Sequence, residues 1–223
     1  MLSMADALVI AILLIFSIGA IAKKLLKLKA VFLADILGIL MYILGGGPAF
    51  TAILFFYASG EAATRIARKT RKKHETRGIS NIIGNAGPAV ICLLLGQFPA
   101  FFGAISAALA DTLSSEIGML SKKKPLLITN FKEVKTGTDG GITLLGTGAS
   151  LIGAISIGII YYFTFAQSLT GFVAIVFAGL IGSITDSVLG AIFERKNILN
   201  NTHVNFLASA SGAIIVFLLA GFI

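Results

Sequence analysis

The chain has 223 residues, of which 57% are hydrophobic and 13% charged, and its mean hydropathy is +0.96; a soluble domain carries about 25% charge. This composition is built for lipid and leaves no length for a separate soluble domain. The single cysteine, Cys92, excludes an internal disulfide, and the placement of the charges, rather than their net value of +8, argues against nucleic acid.

The first apolar run, Met4 to Ala22, is long enough to cross a bilayer core, which takes about 20 residues. Its leader holds Asp6 and no Lys or Arg, so it reads as a retained span with the N-terminus outside rather than a cleaved signal. Lys23, Lys24, Lys27 and Lys29 follow. The runs Ala30 to Leu44 and Pro48 to about Ala63 flank Gly45-Gly46-Gly47-Pro48, a turn that makes them two tilted spans or a re-entrant hairpin. After the basic stretch Arg65 to Arg77, apolar runs recur at Ile79 to Gly96, Phe98 to Leu113, Ile142 to Phe165, Gly171 to Phe193 and Val204 to Ile223.

Counting the hairpin as two, the reading is an all-α polytopic bundle of about eight membrane segments, one integral membrane domain over residues 1–223, with both termini outside. The inner connections fall at about 23–29, 64–78, 116–141 and 194–203, and all 18 Lys and Arg lie in or beside them. The outer turns hold none, so charge bias orients the chain in the cell membrane with its polar loops toward the cytoplasm. The same bias accounts for the basic character as contact with anionic lipid headgroups.

The polar exception is Asp111 to Gly141, where carboxylates, hydroxyls, a lysine run at Lys122 to Lys124 and the turn Gly137-Thr138-Asp139-Gly140-Gly141 succeed one another. Backbone N–H groups freed by glycine suit a phosphate, and carboxylates are hard ligands for Mg²⁺. Carboxylates are costly in a bilayer, yet Asp35, Glu61, Asp111, Glu116 and Asp186 all fall toward inner helix ends, where with Asp139 they are expected to ring one pocket. Asp111-Thr112 and Asp186-Ser187 close two runs pointing the same way, a weak internal repeat with both carboxylates facing a shared site. Gly179, Gly182, Asp186 and Gly190 place that second Asp on a face open to close approach. Asp111 and Ser115 share a helical face, whereas Glu116 lies about 140° from Asp111; either Gly118 unwinds the helix and joins them, or they serve different partners. Asn81 and Asn85 open the fourth run and Asn205 the last, as phosphate donors or as backbone partners. His74 and His203 lack neighbours at zinc-ligand spacing.

The motifs Asn85-Ala86-Gly87, Ala110 to Gly118, Gly137 to Thr143, Gly182 to Ala191 and Val204-Asn205, in that order, resemble those of the phytyl-phosphate kinase family, which includes transmembrane protein 19. The resemblance implies a membrane kinase that converts an isoprenoid monophosphate, such as phytyl or geranylgeranyl phosphate, to the diphosphate with a nucleoside triphosphate, plausibly CTP. Asp111, Glu116 and Asp186 are then expected as the catalytic, Mg²⁺-holding carboxylates. Gly137, Thr138, Asp139, Gly140 and Gly141 would wrap the triphosphate, with Asn85, Ser115, Asn205, Lys123, Lys124 and Arg77 contacting phosphate. No Gly-Xaa4-Gly-Lys-Ser/Thr loop is present. The competing readings are a CTP-dependent lipid-phosphate cytidylyltransferase using the same site, a transporter or flippase, and a purely structural membrane protein. The sequence leaves the oligomeric state open.

Overall fold

The structure is a computed structural model that describes residues 3–23, 25–68 and 78–222. It contains seven α-helices: α1 (Met4–Ala22), α2 (Leu28–Arg68), α3 (Ile79–Leu94), α4 (Phe98–Gly118), α5 (Leu144–Thr164), α6 (Leu169–Ile192) and α7 (Asn201–Leu218). Two short strands, β1 (Leu126–Leu127) and β2 (Gly141–Ile142), pair antiparallel between α4 and α5. By length and composition α1, α2, α5, α6 and α7 are able to cross a membrane; α3 is a shorter apolar helix.

The long α2 is a hairpin of two limbs. Gly46, with φ 65° and ψ −159°, reverses the chain in a conformation open only to glycine. The second limb folds back on the first, so that Leu37 and Gly38 face the same cavity as Phe50 and Ile53. Two polar contacts fasten α1 to the first limb. Ser17 donates to Asp35 Oδ2 at 2.6 Å, and the Tyr42 hydroxyl donates to Asp6 Oδ1 at 2.9 Å. The second contact puts the start of α1 at the same end of the bundle as the Gly46 turn. Lys23 and Arg65, the far ends of α1 and α2, meet around one cavity at the opposite end, so the charge asymmetry of the sequence survives folding.

Helix α4 is the axis of the bundle. Every residue from Ala100 to Ala110 is buried, the mark of a helix enclosed on all sides. It is packed against α2, α3, α5, α6 and α7. Small residues allow that enclosure: the backbones of Gly103 and Gly212 cross so closely that a Cβ on either would lie 2.5 Å from the other's carbonyl oxygen. Against α6 the facing pairs are Ser106 with Gly179, Ala107 with Gly182, and Asp111 with Asp186. Their near-constant offset makes α4 and α6 parallel, as the paired Asp-hydroxyl motifs require.

Candidate functional site

The end of α4 that carries Asp111 opens into a cavity of about 230 Å³ between α4, α6, the start of α7 and the connection from α4 to α5. Asp111, Ser114 and Ser115 line it from α4, Asp186 and Ser187 from α6, Glu194 from the 3-10 turn after α6, and Asn201 from α7. All of Gly137, Thr138, Asp139, Gly140 and Gly141 line it from the connecting loop.

The loop is held over the carboxylates by its own hydrogen bonds. Leu126 pairs with Ile142 and Leu127 with Gly141, Ile128 N donates to the Gly140 carbonyl at 3.0 Å, and Gly141 N donates to the Thr138 carbonyl at 2.9 Å. At its far end Thr143 caps α5, accepting from Gly146 N at 3.0 Å, which satisfies one of the otherwise unpaired donors of the first helical turn. The tightest anchor is Gly140. Its φ of +74° disfavours any side chain, and a Cβ would sit 2.6 Å from the Ser187 carbonyl oxygen and 2.7 Å from Ala191 Cα. Glycine there lets the loop backbone lie directly on α6.

Asp111 and Asp186 stand within hydrogen-bonding reach of each other, with Asp139, Glu194 and, across α4, Glu116 within electrostatic range. Asp186 Oδ2 is buried without a hydrogen-bond donor. Two carboxylates in contact, one with an orphaned oxygen, require a cation or a proton between them. Among the described residues no lysine or arginine lines the cavity, and no group of three or more His, Cys, Asp or Glu is arranged to hold a metal. The donor set nonetheless fits Mg²⁺, which binds through one or two carboxylates and completes its shell with water and phosphate oxygens.

The expected three-carboxylate set is therefore not assembled. Helix α4 continues unbroken through Glu116 to Gly118, so Glu116 keeps its angular distance from Asp111 and faces α2, where Thr64 donates to its Oε1 at 3.1 Å. Asp35 is engaged by Ser17, and Glu61 pairs with Arg65 Nε at 2.9 Å, both away from the cavity. Lys124 turns outward to Glu133, at 3.1 Å, and Lys123 is exposed beside it; neither lines the cavity. Asn85 donates to the Asn81 carbonyl at 2.9 Å and faces an apolar cleft between α1, α2 and α3. Asn205 is buried against Gly84 of α3, one turn from the cavity-lining Asn201, to whose side chain it donates at 3.4 Å. Arg77 lies outside the described residues. Of the expected site residues, Asp111, Asp186, Ser115 and the whole of Gly137 to Gly141 are brought together; Glu116, Asn85, Asn205, Lys123 and Lys124 are not.

Several lining residues were not singled out from the sequence. Glu194 and Asn201 both fell within the inner connection at about 194–203. Ser114 did carry a signal, since it stands three residues from Asp111 and so shares its face.

The family model described as integral membrane protein DUF92 matches residues 11–213. The uncharacterized membrane protein MJ0933 of Methanocaldococcus jannaschii is 36% identical over 222 residues, covering 92% of this chain and 91% of that protein. The uncharacterized membrane protein sll0875 of Synechocystis is 29% identical over 220 residues, covering 90% of this chain and 85% of that protein. Protein VTE6, chloroplastic, of Arabidopsis thaliana is 27% identical over 234 residues, covering 95% of this chain and 70% of that protein. No solved structure matches the chain. With motifs like those of phytyl-phosphate kinases and transmembrane protein 19, and a family match along nearly its whole length, the chain belongs to the DUF92 family of integral membrane proteins.

Proposed function

We propose that the chain is a membrane prenyl-phosphate kinase, transferring the terminal phosphoryl group of a nucleoside triphosphate, CTP in the first instance, to an isoprenoid monophosphate. The observation that carries the reading is the meeting of Asp111 and Asp186 under the Gly137–Gly141 loop. The motif resemblance and the similarity to VTE6 point the same way.

In the transfer, an oxygen of the acceptor phosphate forms a bond to the γ-phosphorus while the bond from that phosphorus to the β–γ bridging oxygen breaks, releasing the nucleoside diphosphate. The nucleophile is already ionised near neutral pH, so the protein needs no strong base. Its task is to bring two anions together and hold them in line. Asp111 and Asp186 are the residues that would hold Mg²⁺, which when bound supplies the positive charge that neutralises the triphosphate. An acidic cavity repels a bare triphosphate and accepts its magnesium complex. Ser114, Ser115, Thr138 and Ser187 offer hydroxyl donors to phosphate oxygens. Glu116 acts at a distance, joining α4 to α2 through Thr64. The site lies at the basic end of the bundle, the cytoplasmic end by charge bias.

The test uses purified protein in detergent with Mg²⁺, phytyl or geranylgeranyl monophosphate, and γ-labelled CTP or ATP. Label in a prenyl diphosphate supports the kinase and identifies its nucleotide. A CDP-lipid with released pyrophosphate would replace it with a cytidylyltransferase, and neither product with active lipid controls would sink both.

A further inference from the structure

The phosphate cavity is lined mostly by polar groups and is a poor host for a hydrocarbon chain. A second space is built for one. We propose that the cleft between α1 and the α2 hairpin, closed on its inner side by α3, is the acceptor-lipid site, with the prenyl chain lying along α2 and its phosphate at the Lys23–Arg65 end. The identity of the occupant rests on the kinase reading; the existence of a lipid site does not.

Two adjoining cavities make up the cleft. The wider one, about 500 Å³, is lined by Ile15, Gly19, Leu54, Ala58 and Ala62 along its flanks, with Lys23, Glu61 and Arg65 among the residues around it. The narrower, about 70 Å³, lies between Leu37, Phe50, Ile53 and Ile82 and ends beside Asn85. Phe16, Leu54 and Tyr57 line both, so the two adjoin, with the edge-on pair of Phe16 and Tyr57, centroids 4.7 Å apart, standing between them. From Phe50 to Arg65 the second limb of α2 runs about 22 Å at ~1.5 Å per residue, giving the cleft the proportions of a chain rather than of a compact ligand.

Charge fixes the orientation. Among the described residues the cleft's basic groups are Lys23 and Arg65, both at one end. Arg65 gives its Nε–H to Glu61, and a guanidinium has further donors suited to a phosphate. Because α1 packs mainly on α2, the cleft opens sideways toward lipid, the route by which a membrane-dissolved acceptor must arrive. The head end also borders the reaction site. Arg65 follows Thr64, which holds Glu116, and the next residue back, Ser115, lines the phosphate cavity. The width of α4, about 10 Å, separates the two, so a lipid phosphate held at Arg65 is docked rather than poised for transfer, and must pass the end of α4 to meet the nucleotide.

The test is photolabelling of the detergent-purified full chain with a prenyl monophosphate carrying a terminal benzophenone, with and without excess geranylgeranyl monophosphate, the adducts mapped by mass spectrometry. The expected result is label on α1 and α2 that the competitor removes. In parallel, Ala58→Phe, at an exposed position that lines the cleft, should raise KM for the lipid at least fivefold and leave KM for the nucleotide unchanged. Competed label on α5 or α6, or an unchanged lipid KM in Ala58→Phe, would overturn the assignment. If the wild-type protein forms no prenyl diphosphate, the kinase reading falls; competed label on α1 and α2 would then still establish the cleft as a prenyl-phosphate site, and label indifferent to competitor would remove it.

Discussion

Replacing Gly140 by alanine tests whether the loop over the carboxylates is a docked, working part of the site. A non-glycine residue at φ +74° costs about 1–2 kcal/mol. The added Cβ, at 2.6 Å from the Ser187 carbonyl oxygen and 2.7 Å from Ala191 Cα, must push the loop off α6, an overpacking that costs about 1–3 kcal/mol. Together these disfavour the docked loop by roughly 2–5 kcal/mol, and with tenfold in an equilibrium constant for every ~1.4 kcal/mol, apparent nucleotide affinity should fall by roughly 30-fold or more. Gly137→Ala is the matched control. Its φ of +86° brings the same backbone strain, but its Cβ would meet only Met119 Cε at 3.9 Å. The readouts are KM for labelled nucleotide and tryptic cleavage at the exposed Lys132 and Lys135, which needs no activity. Gly140→Ala should be cut faster and bind nucleotide more weakly than Gly137→Ala. Equal behaviour of the two, or a Gly140→Ala protein as protected as wild type, would refute the docking argument.

Asp111→Asn and Asp186→Asn should each lower turnover roughly 100-fold, since metal-borne charge stabilisation is worth several kcal/mol, as measured by prenyl diphosphate formed from labelled nucleotide. The same substitutions relieve two carboxylates in contact, so in chelator each variant should melt a few degrees above wild type, and Mg²⁺ should raise the melting temperature of wild type more than theirs; thermal scanning in detergent checks both. Thr64→Val removes the hydroxyl proton that Thr64 shares between the Gly60 carbonyl at 2.9 Å and Glu116 Oε1 at 3.1 Å and should cost about 0.5–1.5 kcal/mol of stability, seen as a lowered melting temperature. Gly46→Val forces a branched residue into a glycine-only conformation at about 1–3 kcal/mol and should broaden the size-exclusion profile after heating, whereas Gly47→Ala, with nothing within 4 Å of the new Cβ, should not.

Much of the site was legible because it depends on local periodicity. Placing Asp111 and Ser115 on one face needs only ~100° per residue; the same count sets Glu116 about 140° away, but the motif resemblance grouped it with the Mg²⁺-holding carboxylates, and in the structure it faces Thr64 instead. The hairpin follows from Gly45 to Pro48, and the meeting of Asp111 with Asp186 from two like motifs on helices of like direction. What periodicity cannot carry is the choice between two partners of similar chemistry. An amide at the start of a helix reads equally as a phosphate donor or a packing group, and Asn85 is decided only by the apolar cleft that α1 and α2 close around it. Lys124 reads as a phosphate ligand until Leu126 bridges to Glu133 and brings that carboxylate beside it. Strands of two residues leave no alternating pattern, so that fold-back has no signature in the sequence.

The enclosure of α4 bears on how the protein enters its membrane. This helix carries Asp111 and Glu116 and, unlike α1, α2, α5, α6 and α7, is not among those apolar enough to cross a bilayer on composition. Part of its cover comes from neighbours synthesised after it: α6 supplies Gly179 and Gly182, and α7 supplies Gly212. A nascent chain stopped before α6 would have α2, α3 and α5 against this helix but no partner for Ser106 and Asp111, which face Ile175 and Asp186 of α6. Insertion of α4 is then a late, cooperative step, completed when the last two helices arrive, and chains truncated before α7 should be cleared by membrane quality control rather than accumulate.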